Sequence, residues 1–156
     1  MSLDKEWYYK VAGDWSELPA CLDYFSSEAE IARSELSMKG RLENHAAKIP
    51  VITERRFSQL QVLNALVRYF EIERDKTKSH HYKKFLENYQ KVLSSRDAEK
   101  YAEGEKDVVE LEMLINEICM VRNVFTGIIK GLDNKSYTIN NISKLRAAGL
   151  ENAELE

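Results

Sequence analysis

The sequence contains few of the residues that interrupt helices or form disulfides. Its 156 residues include two prolines, six glycines and two cysteines. This scarcity of helix breakers is typical of a helical chain, and 44% apolar residues are too many for a disordered one. Cys21 and Cys119 belong to no CxxC pair, and Cys119 lies in an apolar stretch, which favours a reducing compartment. The length is that of a single domain with a core of its own.

Long apolar segments are also absent. The first ten residues contain Asp4, Lys5 and Glu6 and no apolar run of the kind that a signal peptide requires. No apolar run approaches the ~20 residues that cross a bilayer as a helix. We therefore expect a cytoplasmic protein that has no membrane partner.

The common catalytic and nucleotide-binding motifs are absent as well. The sequence has no GxSxG, no Walker GxxxxGK[ST] and no Rossmann glycine fingerprint. Cys119 lies in an apolar run, and such a setting suppresses a thiol nucleophile. His80 and His81 are adjacent, so on a helix they point about 100° apart and do not chelate one ion together. We expect no enzyme activity, no catalytic residues, no metal site and no cofactor.

Charge is unevenly distributed along the chain. The net charge is −3, but residues 1–30 contain seven acids against two lysines. Residues 74–91 reverse this balance, with six lysines and arginines against two acids. A basic stretch of this kind attracts anions even when the whole protein is slightly acidic.

The first 25 residues combine acids with six aromatic rings. Gly13 and Pro19 punctuate the segment, which argues against one long element. We expect residues 1–25 to form an irregular, acidic and aromatic arm, and residues 26–156 to form a single helical domain. Docking of the arm on the chain's own helices would bury its two tryptophans. The alternatives are an arm that recognises a partner and an acidic cover over residues 74–91.

Apolar residues recur at helical spacing through the rest of the chain. Ser27 and Glu30 form a capping box that begins a helix, and Pro50 is expected to end it. Thr53 begins a second helical segment, which continues to Leu93 as one helix or as two.

A long amphipathic helix follows. Ser94 or Ser95 caps it, and its expected range is Arg96–Lys130. Its apolar stripe is broad enough to serve both the core of the protein and self-association. The residues assigned to this double role are Leu111, Leu114, Ile118, Val121, Phe125 and Ile128.

The end of the chain carries stop signals. Gly131 suits the position after a helix C-terminus, and residues 133–135 form a polar turn. A short last helix from about Thr138 to Ala148 stops at Gly149. No strand alternation extends over more than a few residues. The predicted fold class is therefore all-α, a helical bundle with one long amphipathic helix and a short C-terminal helix.

Residues 74–91 interleave cations with aromatic rings, as a binder of single-stranded nucleic acid requires. The cations neutralise phosphates, and each ring offers a base a stacking surface worth ~1–3 kcal/mol. The alternative is an amphipathic helix with Tyr82, Phe85 and Tyr89 in the core and its lysines in water. The candidate DNA-binding residues are Arg74, Lys76, Lys78, Tyr82, Lys83, Lys84 and Lys91.

The C-terminal third carries three short motifs in a fixed order. A polar segment at residues 94–98 precedes the long helix. Residues 128–142 have the form Ile-Ile-Lys-x-Leu-x-Asn-Lys-Ser-Tyr-Thr-Ile-Asn-Asn-Ile, and Arg-Ala-Ala-Gly-Leu follows at residues 146–150. This arrangement resembles the UvsY family, the recombination mediators of T-even-type phages and their cyanophage relatives.

The resemblance implies a helical protein that binds single-stranded DNA and forms a ring-like oligomer. It also implies that the protein helps a RecA-like recombinase to replace the single-strand-binding protein. By position, the DNA contacts would come from Arg74, Lys76, Lys78, Lys83 and Lys84, and the C-terminal helices would assemble the homo-oligomer.

Two functions follow as expectations. The first is a self-associating, single-stranded-DNA-binding accessory protein of phage recombination or replication, in the cytoplasm of the host cell. The alternative is a helical protein–protein interaction module, such as a phage inhibitor or an assembly factor, that binds no nucleic acid.

Overall fold

The computed structural model describes residues 3–88 and 93–150, and within them the chain is helical and contains no strand. Its elements are, in order, α1 (Leu3–Gly13), a 3₁₀ turn (Trp15–Glu17), α2 (Leu18–Glu35), α3 (Leu42–Asn88), α4 (Ser95–Glu103) and α5 (Lys106–Ala147). The predicted all-α class is confirmed, with a long helix of 47 residues, α3, and a shorter C-terminal helix of 42, α5. In the part of the chain that is described, none of the helices combines the length and the apolar character needed to cross a membrane.

Helices α3 and α5 form a long antiparallel pair. At 1.5 Å per residue they are about 70 and 60 Å long. Arg74 of α3 contacts Glu112 of α5, and His81, further along α3, contacts Asp107, nearer the start of α5. Because the residue numbers run in opposite directions, the two helices are antiparallel. Helix α4 packs against the C-terminal half of α3.

The apolar core lies where α1 and α2 cover this helix pair. Phe25 of α2 and Phe125 of α5 are fully buried, with ring centroids 6.0 Å apart in an edge-to-face arrangement. Burying an apolar side chain of this size contributes roughly 1.5–3 kcal/mol. Phe70 is the last buried residue of α3. The core is therefore concentrated along the first part of α3.

A buried charged network joins α2 to α3. Arg56 of α3 is fully buried, and its guanidinium donates to Glu28 at 2.7 Å and to Glu35 at 2.6 and 2.8 Å. Gln59 accepts from Arg56 at 2.9 Å and donates to Glu28 at 2.9 Å and to Asp4 of α1 at 3.1 Å. Burial by itself would lower the pKa of Arg56, but the hydrogen bonds and charges of the two glutamates raise it. The buried cation is thus neutralised where it lies.

A second buried cation, Lys135 of α5, closes the C-terminal end of α2. Its ammonium donates to the carbonyls of Glu35 and Ser37 at 2.7 Å each. The last carbonyls of a helix lack partners within the helix, and a cation there also offsets the helix dipole. Gly131, one turn before Lys135, leaves room for Leu36, whose Cδ2 would lie 2.9 Å from a Cβ at this position.

Within the described residues 3–25 the chain is helical apart from Asp14, so the prediction of an irregular arm is wrong. Pro19 lies in the first turn of α2, where its missing N–H is not needed. The segment packs against α3: Tyr8 meets Tyr69 edge to face at 6.2 Å, and Trp15 donates to the Tyr69 hydroxyl at 3.1 Å. Val11 is fully buried, whereas Trp15 remains 41% exposed. Packing on α3 makes this segment helical despite its local punctuation.

The helical segment that was predicted to end at Pro50 is instead interrupted earlier, between α2 and α3, where Gly40 lies. The predicted helix end at Pro50 is wrong. Gly40 has φ +115°, a conformation that glycine adopts without strain. Pro50 lies inside α3 on its exposed side. Because proline has no N–H, one carbonyl of the preceding turn loses its partner in the helix, and water is free to hydrogen-bond that carbonyl. Ser27 and Thr53, the predicted helix starts, are likewise inside helices, and residues 53–88 belong to one continuous helix.

The helix predicted at Arg96–Lys130 is divided near its start. Ser94, one of the two predicted cap residues, caps α4, and its hydroxyl accepts from the N–H of Asp97 at 3.2 Å. Helix α4 stops at Glu103, and Glu105 adopts an extended conformation before α5 begins. The break lets α4 turn back onto α3, a tertiary contact that the local sequence does not reveal.

Helix α5 continues past Gly131, where an end was predicted, and through the polar turn predicted after it. Lys135 and Ile139 are buried in this part of the helix, and their packing keeps it continuous. The segment Thr138–Ala148, predicted as a separate short helix, is therefore the last part of α5. The predicted stop at Gly149 is confirmed, since this residue follows the helix with φ +73°.

Because Arg56 is buried in the network and the neighbouring Arg55 is exposed, we expect their substitutions to lower the free energy of unfolding by very different amounts. Arg56→Ala leaves Glu28 and Glu35 without their buried partner, and we expect a loss of about 3–5 kcal/mol in the free energy of unfolding. Arg55 also contacts Glu28, at 2.9 Å, but its side chain is 54% exposed. We expect Arg55→Ala to cost less than about 1 kcal/mol. Urea denaturation of both variants measures the difference. Equal losses in the free energy of unfolding would contradict the stabilising role given to the buried Arg56 network.

The packing of the N-terminal segment predicts that the rest of the chain depends on it. Deleting residues 1–25 removes the buried side chains of Val11, Leu18, Cys21 and Phe25. Because each contributes roughly 1–3 kcal/mol, the loss approaches the whole stability of a typical domain. We expect the melting temperature, followed by circular dichroism, to collapse.

A matched surface change serves as the control for that deletion. Tyr9 is 62% exposed, and we expect Tyr9→Ala to stay within about 0.5 kcal/mol of the full chain. A truncated chain that melts at the temperature of the full chain would show that the segment is a separate arm.

Candidate nucleic-acid interface

Six of the seven predicted DNA-binding residues lie on the C-terminal half of α3, and Lys91 lies outside the described residues. At about 100° per residue the six are distributed around the helix. Arg74 and Lys78 face α4 and α5, where they form ion pairs. Lys76 and Lys83 lie on the opposite side, with 66% and 75% of their side chains exposed. The basic stretch therefore presents two chemically different faces.

The cations on the inner face connect helices. Arg74 donates to Glu112 of α5 at 2.8 Å. Lys78 donates to Glu103 of α4 at 2.7 Å and to Glu99 at 3.3 Å. The hydrogen bond to Glu103 is the main cause that raises the pKa of Lys78. These two cations hold the three helices together at this end and are already neutralised by carboxylates.

The cations on the outer face are accessible. Lys76 pairs with Glu73 of its own helix at 2.6 Å, and Lys83 approaches Glu87 at 3.9 Å. Lys84 is exposed and forms no ion pair with any described residue. Exposed pairs of this kind contribute only about 0–1 kcal/mol, so a phosphate is able to replace the carboxylate. The outer face is thus the more available of the two.

A groove of about 570 Å³ opens between α3 and the start of α4. Tyr82 is half-buried on the α3 side, beside Lys78, and Arg96 lies on the α4 side. Arg96 is exposed and forms no ion pair within the described part of the chain. The other residues that line the groove are Asp75, Ser79, Ser95 and Glu99.

Arg96 is a member of this groove that the sequence did not indicate. It lies outside the basic stretch, at the start of α4, and the packing of α4 on α3 brings it close to Tyr82. The one local signal was its position directly after the predicted cap of a helix, which placed it at an exposed helix start.

The two described aromatic residues of the stretch lie outside the main apolar core. Tyr82 lines the groove, and Phe85 meets Tyr101 of α4 with ring centroids 5.7 Å apart. Both side chains are half-buried, and Tyr89 lies outside the described residues. The helix is therefore amphipathic here, but its aromatic side packs on α4 and forms the groove.

The acidic first helix, α1, does not lie over the described part of the basic stretch. Asp4 of α1 accepts from Gln59 at 3.1 Å and from Tyr24 at 2.9 Å, and Tyr8 meets Tyr69. Helix α1 thus packs beside the first half of α3. Among the described residues, the acids of other helices that pair with the basic stretch belong to α4 and α5.

The residues of α5 assigned to core and self-association pack within the chain. Four are buried, namely Leu111, Ile118, Phe125 and Ile128. Leu114 and Val121 are partly buried against the same core. The exposed apolar side chains of α5 lie on another face, where Met113 is 61% and Met120 71% exposed. An interface between copies formed by α5 would have to use that second face.

These features define an all-α protein whose long antiparallel helix pair has an apolar core at one end and a charged groove at the other. Its sequence matches no protein-family model, and no curated protein or solved structure matches it significantly.

Proposed function

We propose that this chain binds single-stranded DNA at the groove between α3 and α4 as a self-associating accessory protein of phage recombination or replication. The observation that carries the proposal is the position of Tyr82 in a groove flanked by Lys78 and Arg96. Lys83 and Lys84 are exposed directly after Tyr82 in the same helix. An unpaired base stacks on the ring, and Lys78 and Arg96 hold the phosphates on either side of it, while Lys83 and Lys84 attract the strand from the outer side of α3.

The carboxylates of the groove set the strength of this binding. Asp75 and Glu99 line the same groove, and Glu103 holds Lys78. A phosphate that approaches Lys78 must displace these acids, so the groove binds weakly and depends strongly on salt. The exposed cations Lys83 and Lys84 supply the first attraction, because no described acid holds them closely.

The partners follow from the resemblance of the C-terminal third to the UvsY family. They are a RecA-like recombinase, a single-strand-binding protein and further copies of the same chain. The exposed methionines Met113 and Met120 offer a face for self-association that the core does not use.

A second candidate function is a protein-binding module without nucleic-acid binding. A groove of about 410 Å³ between α1 and α3 favours it, because Tyr9 and Phe57 are exposed there by 62% and 52%. Exposed aromatic residues at the edge of a groove are typical anchors for protein partners. The pairing of most cations in the basic stretch with carboxylates favours this candidate too.

The DNA-binding proposal predicts the effect of removing the outer cations. We expect Lys83→Ala/Lys84→Ala to weaken binding of a fluorescent oligonucleotide, measured by anisotropy at several salt concentrations. Each lost phosphate contact removes ~0.7 from the slope of log affinity against log salt, so two contacts remove about 1.4.

The matched control is Lys130→Ala/Lys144→Ala, two exposed lysines of α5 near its other end. This variant loses the same charge, and we expect its slope to equal that of the unchanged chain. If both double variants behave alike, the basic stretch is not the site. If the unchanged chain binds no oligonucleotide even at low salt, the protein-binding function takes its place.

Removing the charge of the two acids that pair with Lys78 is expected to strengthen the binding of DNA. Glu99→Gln/Glu103→Gln releases Lys78 for phosphate, and we expect binding at low salt to tighten by up to about fivefold. Glu110→Gln/Glu117→Gln changes the net charge equally on exposed positions of α5 away from the groove. Equal tightening in both variants would mean that net charge alone is responsible and would contradict a site at the groove.

A further inference from the structure

The turn between α4 and α5 brings three ligand-forming side chains together. His81 of α3 lies beside Glu105 and Asp107, and one ligand atom of each lies within 4.8 Å of the others. The Nε2 atom of His81 is 2.9 and 2.8 Å from the two carboxylate oxygens of Asp107. Glu105 and Asp107 are close in sequence, but His81 precedes Asp107 by 26 residues, so only the fold brings the histidine to the two acids.

Glu105 is the unusual member of this cluster. It occupies the N-cap position of α5 with an extended backbone, yet its side chain makes no capping hydrogen bond. Asp, Asn, Ser and Thr are the usual residues at this position because their short side chains reach the helix N–H groups. The Glu105 carboxylate is half-buried and pairs with no described cation, so capping does not explain its position.

We propose that His81, Glu105 and Asp107 bind a divalent metal ion of the zinc class. One imidazole nitrogen and two carboxylate oxygens are a donor set that such ions accept, with water completing the coordination. The two carboxylates carry two negative charges, which balance the charge of the ion when the imidazole is neutral. His80, the adjacent histidine, is exposed and belongs to a different side of the helix.

The geometry requires only small adjustments. Ligands at 2.0–2.2 Å from a tetrahedral zinc ion lie about 3.4 Å from one another. The His81–Asp107 pair must open slightly from 2.8 Å, and the three ligand atoms, which already lie within 4.8 Å of one another, must converge on this spacing. The Nε2 atom then presents its lone pair, and the ring proton resides on Nδ1.

Metal binding at this position would join three elements. His81 belongs to α3, and the two acids belong to the junction where α4 ends and α5 begins. This part of α3 lies beyond its last buried residue, Phe70, so a coordinated ion would add to the packing that Val108 of α5 and Ala98 and Ala102 of α4 supply at this end. The inference is independent of the proposed binding of DNA.

The test uses untagged full-length chain treated with EDTA and titrated with zinc chloride in a calorimeter. We expect one zinc ion per chain and a rise in melting temperature with zinc concentration. Cobalt(II) supplies a second signal, because its visible absorption reports a low-coordinate site with nitrogen and oxygen ligands.

Three variants locate the site. His81→Ala is expected to lower zinc affinity at least about tenfold, whereas His80→Ala leaves it unchanged. Glu105→Gln removes one negative charge from the cluster, and we expect this variant also to bind zinc more weakly. We expect it to fold, because the Glu105 side chain makes no capping hydrogen bond that the substitution would remove. Circular dichroism establishes folding in each case. The proposal is overturned if the unchanged chain takes up no zinc, or if His81→Ala and Glu105→Gln bind it as tightly as His80→Ala does.

Discussion

The fully buried guanidinium of Arg56 is the constraint around which the helices of this protein are arranged. A charge removed from water is tolerated only when acids and hydrogen bonds satisfy it completely. Glu28 and Glu35 of α2 supply the charge, and Gln59 extends the network to Asp4 of α1. The three helices therefore have to meet in one register. Once they do, α5 closes the structure by packing Phe125 on Phe25 and by placing Lys135 at the end of α2.

The two ends of the α3–α5 pair are held by different forces. Apolar burial stabilises the end that α1 and α2 cover. At the other end, α3 has no buried residue after Phe70, and the interior receives Val108 from α5 and the small side chains of Ala98 and Ala102 from α4. Ion pairs from Arg74 and Lys78 to acids of α4 and α5, with the hydrogen bond between His81 and Asp107, join the helices there. Because such pairs contribute little free energy and respond to salt, this end is the more adaptable one.

The ion pairs between α3, α4 and α5 also determine which cations of the basic stretch are accessible to a ligand. Cations that join helices have partners already, and only those on the outer side of α3 remain accessible. The groove adds Tyr82 and Arg96 to them, and so combines a stacking surface with cations from two helices. A ligand with both phosphates and unpaired bases matches this combination better than a simple anion does. The apolar groove beside Phe57 lies in the other half of the molecule, so the two candidate functions use separate surfaces.

The sequence by itself determined the all-α class, a cap at Ser94 or Ser95, the stop at Gly149 and the burial of Ile118 and Phe125, because capping and helical periodicity act within a few residues. It also predicted the charge contrast of the basic stretch. Only the tertiary structure decided where the long helices break, which cations are neutralised, and that Arg96 and the acids beside His81 reach α3. Those outcomes depend on partners 14 to 38 residues away, such as Arg74 with Glu112, and no local pattern contains them.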